Sequence, residues 1–163
     1  MGRLNKTIDL VVFYFTAIAL ILLVAVCFAQ VVARYAFSSS FAWAEEVSIC
    51  IMLWATWTGA CYAVKRGGHL NIPILPERQS PKNRLILQSI LCGLGVIFLS
   101  VIAFTSRGII EGLTNATFIS LPKVPLKLMY ISVPSGCVLM IYYLVRVVVT
   151  DWKTLRNSEK KAV

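Results

Sequence analysis

The sequence predicts an all-α integral membrane protein with four transmembrane helices and both termini in the cytoplasm. Three observations predict it. Charged residues make up only 14% of the 163 residues, against about 25% in a typical soluble domain. The apolar residues, 58% of the total, gather into four long blocks separated by short charged stretches. Each block approaches the roughly 20 residues that carry a helix across a bilayer. The chain therefore reads as a single membrane domain over residues 1–163, with spans near 8–33, 42–64, 85–106 and 128–149.

The first block runs from Ile8 to Ala33; between Leu10 and Ala33 it holds no charge, and Gln30 is the only strongly polar side chain in that stretch. It is too long for the apolar region of a secretory signal. It also ends in Val32-Ala33-Arg34-Tyr35 rather than a small-residue cleavage site, so it is read as a retained span. The second block, from Ala42 to Val64, is uncharged after Glu46. The third, from Leu85 to Ser106, has no ionisable side chain, and the fourth has none from Leu128 through Val145. Ser80-Pro81 has the form of an N-cap followed by proline at the first helical position, which opens the third helix. Pro125 plays a similar part before the fourth helix. Pro134 lies inside that helix and should kink it, because proline has no N–H and crowds the preceding turn. Trp43, Tyr62, Tyr130 and Trp152 fall near span ends, where amphipathic rings favour the headgroup region.

The formal charge is +9. In a soluble chain that excess would suggest nucleic acid. Here the basic residues flank spans, so membrane lipids are the expected partner and nucleic acid is not. Taking connections alternately, twelve Lys and Arg fall on one side and four on the other. The positive-inside rule then places the termini and the 65–84 connection in the cytoplasm.

Chemistry-bearing constellations are missing from the sequence. The five cysteines (27, 50, 61, 92 and 137) all lie within spans and lack metal-ligand spacing, so they are read as small packing residues. His69 is the single histidine, which excludes a haem held between two histidines. No nucleophile–base set or phosphate-binding glycine loop is visible, so no enzymatic activity or cofactor is expected. The central portions of the spans carry no ionisable residue, the usual mark of a substrate or ion path. These features predict an accessory membrane part.

Helix two presents two faces. Glu46, Cys50, Trp54, Trp57 and Cys61 recur at steps of three or four, and their aromatic face is the candidate for lipid or a partner protein. Ser48, Met52, Ala55, Gly59 and Ala63 lie roughly opposite, and small residues at helical spacing admit close helix packing. Ala25, Ala29 and Ala33 offer the same on helix one, and Gly93 and Gly95 on helix three, with Gly108 and Gly112 near its outer end. Internal packing of a four-helix bundle accounts for such faces, as does docking on another membrane protein. Arg34 ends helix one and Glu45 and Glu46 open helix two across a short connection. Their proximity predicts an ion pair fixing the first hairpin, with the carboxylates favoured by the helix dipole; a contact to a partner subunit is the alternative.

Several of these residues form a recognisable string. Ala33-Arg34-Tyr35-Ala36-Phe37, Trp43-Ala44-Glu45-Glu46, Trp54, Gly59-Ala60, Tyr62-Ala63-Val64 and Arg66-Gly67-Gly68-His69 together resemble the small permease subunit of tripartite ATP-independent periplasmic (TRAP) transporters, the DctQ type. Pro125, Tyr130, Pro134 and Gly136 resemble the fourth helix of that family. The chain departs from the family pattern at Ile49-Cys50, where an Arg-aromatic pair is common, and at Pro73, where an Asp is common.

The resemblance implies a small scaffold subunit of a sodium-driven, binding-protein-dependent importer of organic acids, of the dicarboxylate or sialic acid class. It implies two protein partners: a large permease subunit that carries the substrate and uses the sodium gradient, and a periplasmic substrate-binding protein. Its location would be the bacterial inner membrane. Arg34, Trp43, Glu45, Glu46 and His69 would be signature residues. An autonomous small homo-oligomeric transporter or channel is the alternative.

Overall fold

The computed structural model describes residues 3–38, 41–65 and 81–161, with side chains over 6–38, 41–65, 83 and 85–153. It is all-helical. α1 spans Arg3–Ala36, α2 Ala42–Lys65, α3 Pro81–Gly112, α4 Lys127–Tyr130 and α5 Ser132–Lys161. Among the described residues, four stretches are long and apolar enough to cross a membrane: Lys6–Ala36, Ala42–Lys65, Leu85–Gly112 and Lys127–Lys153. The third runs six residues past its expected end at Ser106, so Arg107 and Glu111 are helical rather than part of the connection.

The helix boundaries follow local chemistry. Between α1 and α2 the chain turns through Ser38 in the left-handed region, at φ 49°. Phe37 N–H donates to Ala33 at 3.1 Å and Ala44 N–H to Phe41 at 3.1 Å, closing the two helix ends. α3 begins at Pro81, where a missing N–H costs nothing. The last span breaks into α4 and α5 at Ile131. The break is the one Pro134 dictates: it has no N–H to offer Tyr130, the last residue of α4, and its ring crowds that carbonyl. Ser132 Oγ donates to Met129 O at 2.7 Å and Ser135 Oγ to Ile131 O at 2.8 Å, supporting the interrupted ladder.

The helices stand in a row, in the order α1, α2, α5, α3. α1 packs along α2, α3 along α5, and the two hairpins meet where α2 lies against α5. Among the described residues the helices therefore pack as an open row rather than closing on one another, with α1 and α3 at its edges. The reason is the solvent. Lipid tails are as apolar as leucine, so no hydrophobic gain draws the edge helices together. Ile21, Phe28, Ile97 and Phe104 accordingly stay exposed on the two edges. The core lies on the α2–α5–α3 side, built from Cys61, Val64, Cys92, Leu99, Cys137, Tyr143 and Leu144.

Gly136 and Gly95 set how closely these helices approach. A Cβ on Gly136 would lie 2.6 Å from Trp57 Cβ, whereas one on Gly95 would meet Leu144 Cδ1 at 3.4 Å. Cys61, Cys92 and Cys137 are buried as packing residues, while Cys27 is exposed and Cys50 half-buried.

Candidate functional site

Two polar clusters lie at opposite ends of the helices. At one end α2 starts and the 113–126 connection returns from α3 to α4. Glu46, in the second turn of α2, reaches that connection. Its Oε1 accepts from Ile119 N–H at 2.9 Å and its Oε2 from Ser120 N–H at 3.0 Å. One carboxylate thus satisfies two consecutive backbone amides, a charge-assisted arrangement stronger than two neutral bonds. The connection is itself ordered by pairing. Phe118 N–H donates to Val124 O at 3.1 Å and Leu126 N–H to Ala116 O at 2.9 Å, around a bridge between Thr117 and Pro125. Phe118 turns inward and is buried, whereas its neighbour Ile119 is 92% exposed.

The face of α2 that carries Glu46 continues down the same seam. Two turns on, Trp54 Nε1 donates to Leu128 O of α4 at 3.2 Å. Trp57 then covers Gly136, and Cys61 Sγ lies 3.4 Å from Gly136 O. The aromatic face expected to meet lipid or a partner is therefore internal: it binds α2 to the connection, α4 and α5. On the other side, Gly59 faces α1, with 3.6 Å between its notional Cβ and Thr16 Cγ2. The Thr16 and Thr58 hydroxyls meet 2.9 Å apart across that seam.

The expected ion pair of Arg34 with Glu45 or Glu46 is not formed among the described residues. Both Glu46 oxygens are taken by loop amides, and Glu45 lies about 100° further round the helix. Arg34 and Glu45 are both exposed. Trp43 is also exposed and stacks near Phe41, with ring centroids 5.8 Å apart. His69 and the 66–80 connection lie outside the described residues.

The opposite end holds a cluster that sequence reasoning missed. Asp9 Oδ2 pairs with Lys65 Nζ at 2.9 Å. Its Oδ1 accepts from Tyr143 OH at 2.9 Å and from Arg146 Nη1 at 3.2 Å. One carboxylate therefore ties the first turns of α1 to the last turn of α2 and to α5. Asp9 is the only acidic residue before Glu45. That isolation at the margin of an apolar block was the available signal. Beside it, Gln88 Nε2 donates to Asp151 Oδ2 at 2.9 Å and Trp152 Nε1 to Ser89 Oγ at 2.9 Å, clasping α3 to α5. No group of three or more potential metal ligands occurs among the described residues.

The comparisons with known proteins agree with this architecture. The family described as "Tripartite ATP-independent periplasmic transporters, DctQ component" matches residues 23–154. The chain is 31% identical over 107 residues to the C4-dicarboxylate TRAP transporter small permease protein DctQ of Rhodobacter capsulatus, covering 64% of this chain and 47% of the relative. It is 29% identical over 87 residues to the Haemophilus influenzae chain named "Putative TRAP transporter small permease protein", covering 53% and 52%. The chain thus spans about half the length of the curated relatives it matches. With four apolar helices and a family match running from the middle of α1 to the end of the last span, this chain belongs to the DctQ component family of tripartite ATP-independent periplasmic transporters, multi-pass proteins of the bacterial inner membrane.

Proposed function

We propose that the chain is the small scaffold subunit of a sodium-driven, binding-protein-dependent importer of organic acids, packing against a large permease subunit that moves the substrate. One observation carries this reading: the Asp, Glu, Lys and Arg side chains of all four spans lie outside the central portions of those spans. A carboxylate substrate and its coupling cation would find no charged partner midway along these helices, and intramembrane charge is what such paths use. The carrying sites would then belong to another chain. The row of helices suits a supporting role, because each edge helix offers a broad apolar flank. The basic excess supports an orientation with the Asp9 end in the cytoplasm and the Glu46 end in the periplasm. In that orientation the exposed Arg34, Glu45 and Trp43 would be available to the large subunit or the binding protein. A dicarboxylate is the substrate class that the Rhodobacter capsulatus relative's name supports.

The test is co-expression with the adjacent large permease, detergent extraction and pull-down, followed by uptake in proteoliposomes with the binding protein. A stable complex whose uptake requires both membrane chains and a sodium gradient is the expected result. Purification of the chain alone as a defined homo-oligomer, with uptake indifferent to its deletion, would favour an autonomous transporter.

A further inference from the structure

We infer that the cleft between α1 and α2 at the Asp9 end binds the phosphate headgroup of an anionic phospholipid, with one acyl chain lying along α1. The cleft is open, has a volume of about 410 Å³, and is lined by Lys6, Asp9, Leu10, Phe13, Tyr14, Tyr62 and Lys65. Its polar and apolar parts are segregated as a lipid requires. Lys6 opens the first span and Lys65 closes the second, which puts both ammonium groups at headgroup depth. Leu10 lies one turn deeper on α1 and Phe13 and Tyr14 about two turns deeper, and all three are exposed. At the same helical spacing, exposed Leu20 and Ile21 continue that apolar strip toward the membrane centre.

The charge balance of the cleft favours an anion. Asp9 is shared between Lys65 and Arg146, so one positive charge is left over. Lys6 is exposed and has no acidic partner among the described residues. Lys65 Nζ is fixed between Asp9 and the Tyr62 ring, 5.4 Å from its centroid. A phosphodiester would thus meet one preset cation and one adaptable cation. A free phosphate shares that chemistry but would gain nothing from Leu10, Phe13 and the strip beyond them. The inference does not depend on the transport assignment.

The test uses the full chain in nanodiscs of phosphatidylcholine containing a minority of phosphatidylglycerol, read by native mass spectrometry. The second readout is photo-crosslinking with a phosphatidylglycerol analogue reactive near its headgroup. The wild-type chain is expected to retain one phosphatidylglycerol and to be labelled within residues 6–14 and 62–65. Lys6→Ala should weaken retention roughly fivefold and Lys6→Glu more than about tenfold, taking about 1 kcal/mol per cation near a membrane surface. Lys153→Glu, near the same end of the helices on α5, should leave retention unchanged. Equal losses from Lys6→Glu and Lys153→Glu, or labelling elsewhere, would overturn the site. Displacement of the lipid by millimolar inorganic phosphate would assign the cleft to free phosphate instead. Lys6 has no ion pair to lose among the described residues, so melting of its variants should match wild type, and the crosslinking map stands even if a variant fails to fold.

Discussion

Trp57 occupies the space in which any side chain at position 136 would have to sit: a Cβ there would lie 2.6 Å from Trp57 Cβ and 2.9 Å from Trp57 Cγ. The obstacle includes the root of the indole, which cannot rotate away. Gly136→Ala should therefore separate α2 from α5 and destabilise the chain by about 1–3 kcal/mol, the usual cost of overpacking. Thermal melting in detergent checks it. Trp57→Phe should not rescue the variant, since phenylalanine keeps the offending Cβ. A melting temperature unchanged by Gly136→Ala would refute the close crossing.

Asp9→Asn should be the most damaging single change at the opposite end. It leaves Lys65 and Arg146 facing a neutral group, and removing one member of a buried ion pair costs about 3–5 kcal/mol. The cluster is partly solvated, with side-chain exposures of 33% for Lys65 and 13% for Asp9, so a loss near the lower bound is expected. Tyr143→Phe removes one hydrogen bond and should cost about 1 kcal/mol. The comparison is made by melting. If Tyr143→Phe proved the worse of the two, the carboxylate would not be the centre of the cluster.

Glu46→Gln keeps one carbonyl oxygen for two amides and removes the charge. Amide hydrogen exchange at Ile119 and Ser120 should accelerate by roughly tenfold or more, since bonds to a charged group contribute about 1.5–3 kcal/mol. Protection at the core residues of α5 should be unchanged. Under the proposed function, Glu46→Ala should lower uptake through weaker assembly while leaving the sodium stoichiometry alone. An altered stoichiometry with intact assembly would contradict that role.

Arg34→Ala provides the contrast. Arg34 is exposed and makes no ion pair with Glu45 or Glu46 among the described residues. Its removal should change the stability of the isolated chain by no more than about 0.5 kcal/mol. If the pull-down with the large permease weakens while the melting temperature holds, Arg34 belongs to the assembly surface. Unchanged pull-down would remove it from that surface.

These variants also mark what was legible in the sequence. The four spans were, because a run of apolar residues long enough to cross a bilayer is a local property. So were the start of α3 at Pro81 and the interruption that Pro134 imposes on the last span. Glu46 stood out as a carboxylate at a helix start, but its partners lie more than seventy positions away in sequence, and no local pattern connects the two. Asp9 drew no assignment because it stands just outside the uncharged run that begins at Leu10, and its partners Lys65, Tyr143 and Arg146 lie far away in sequence. The aromatic face of α2 was assigned outward for a more general reason. In a soluble protein apolar side chains point inward, but in lipid both directions are equally apolar, so hydropathy cannot tell a seam from a surface. Backbone proximity resolves it: Trp54 and Trp57 face α4 and α5.

The side-by-side order of the helices bears on how the chain is made. α1 and α2 form one antiparallel pair from neighbouring segments, and α3 and α5 form another. As synthesis proceeds from the amino terminus, the first pair can settle with Asp9 held by Lys65 alone. Tyr143 and Arg146, which complete the set around that carboxylate, emerge only with the last span. Two fragments expressed separately, divided within the 66–80 connection, should accordingly each insert as a hairpin and rejoin along the Trp57–Gly136 seam. Biogenesis would then proceed as two local events and one late docking step, with Asp9 reporting when the second half has arrived.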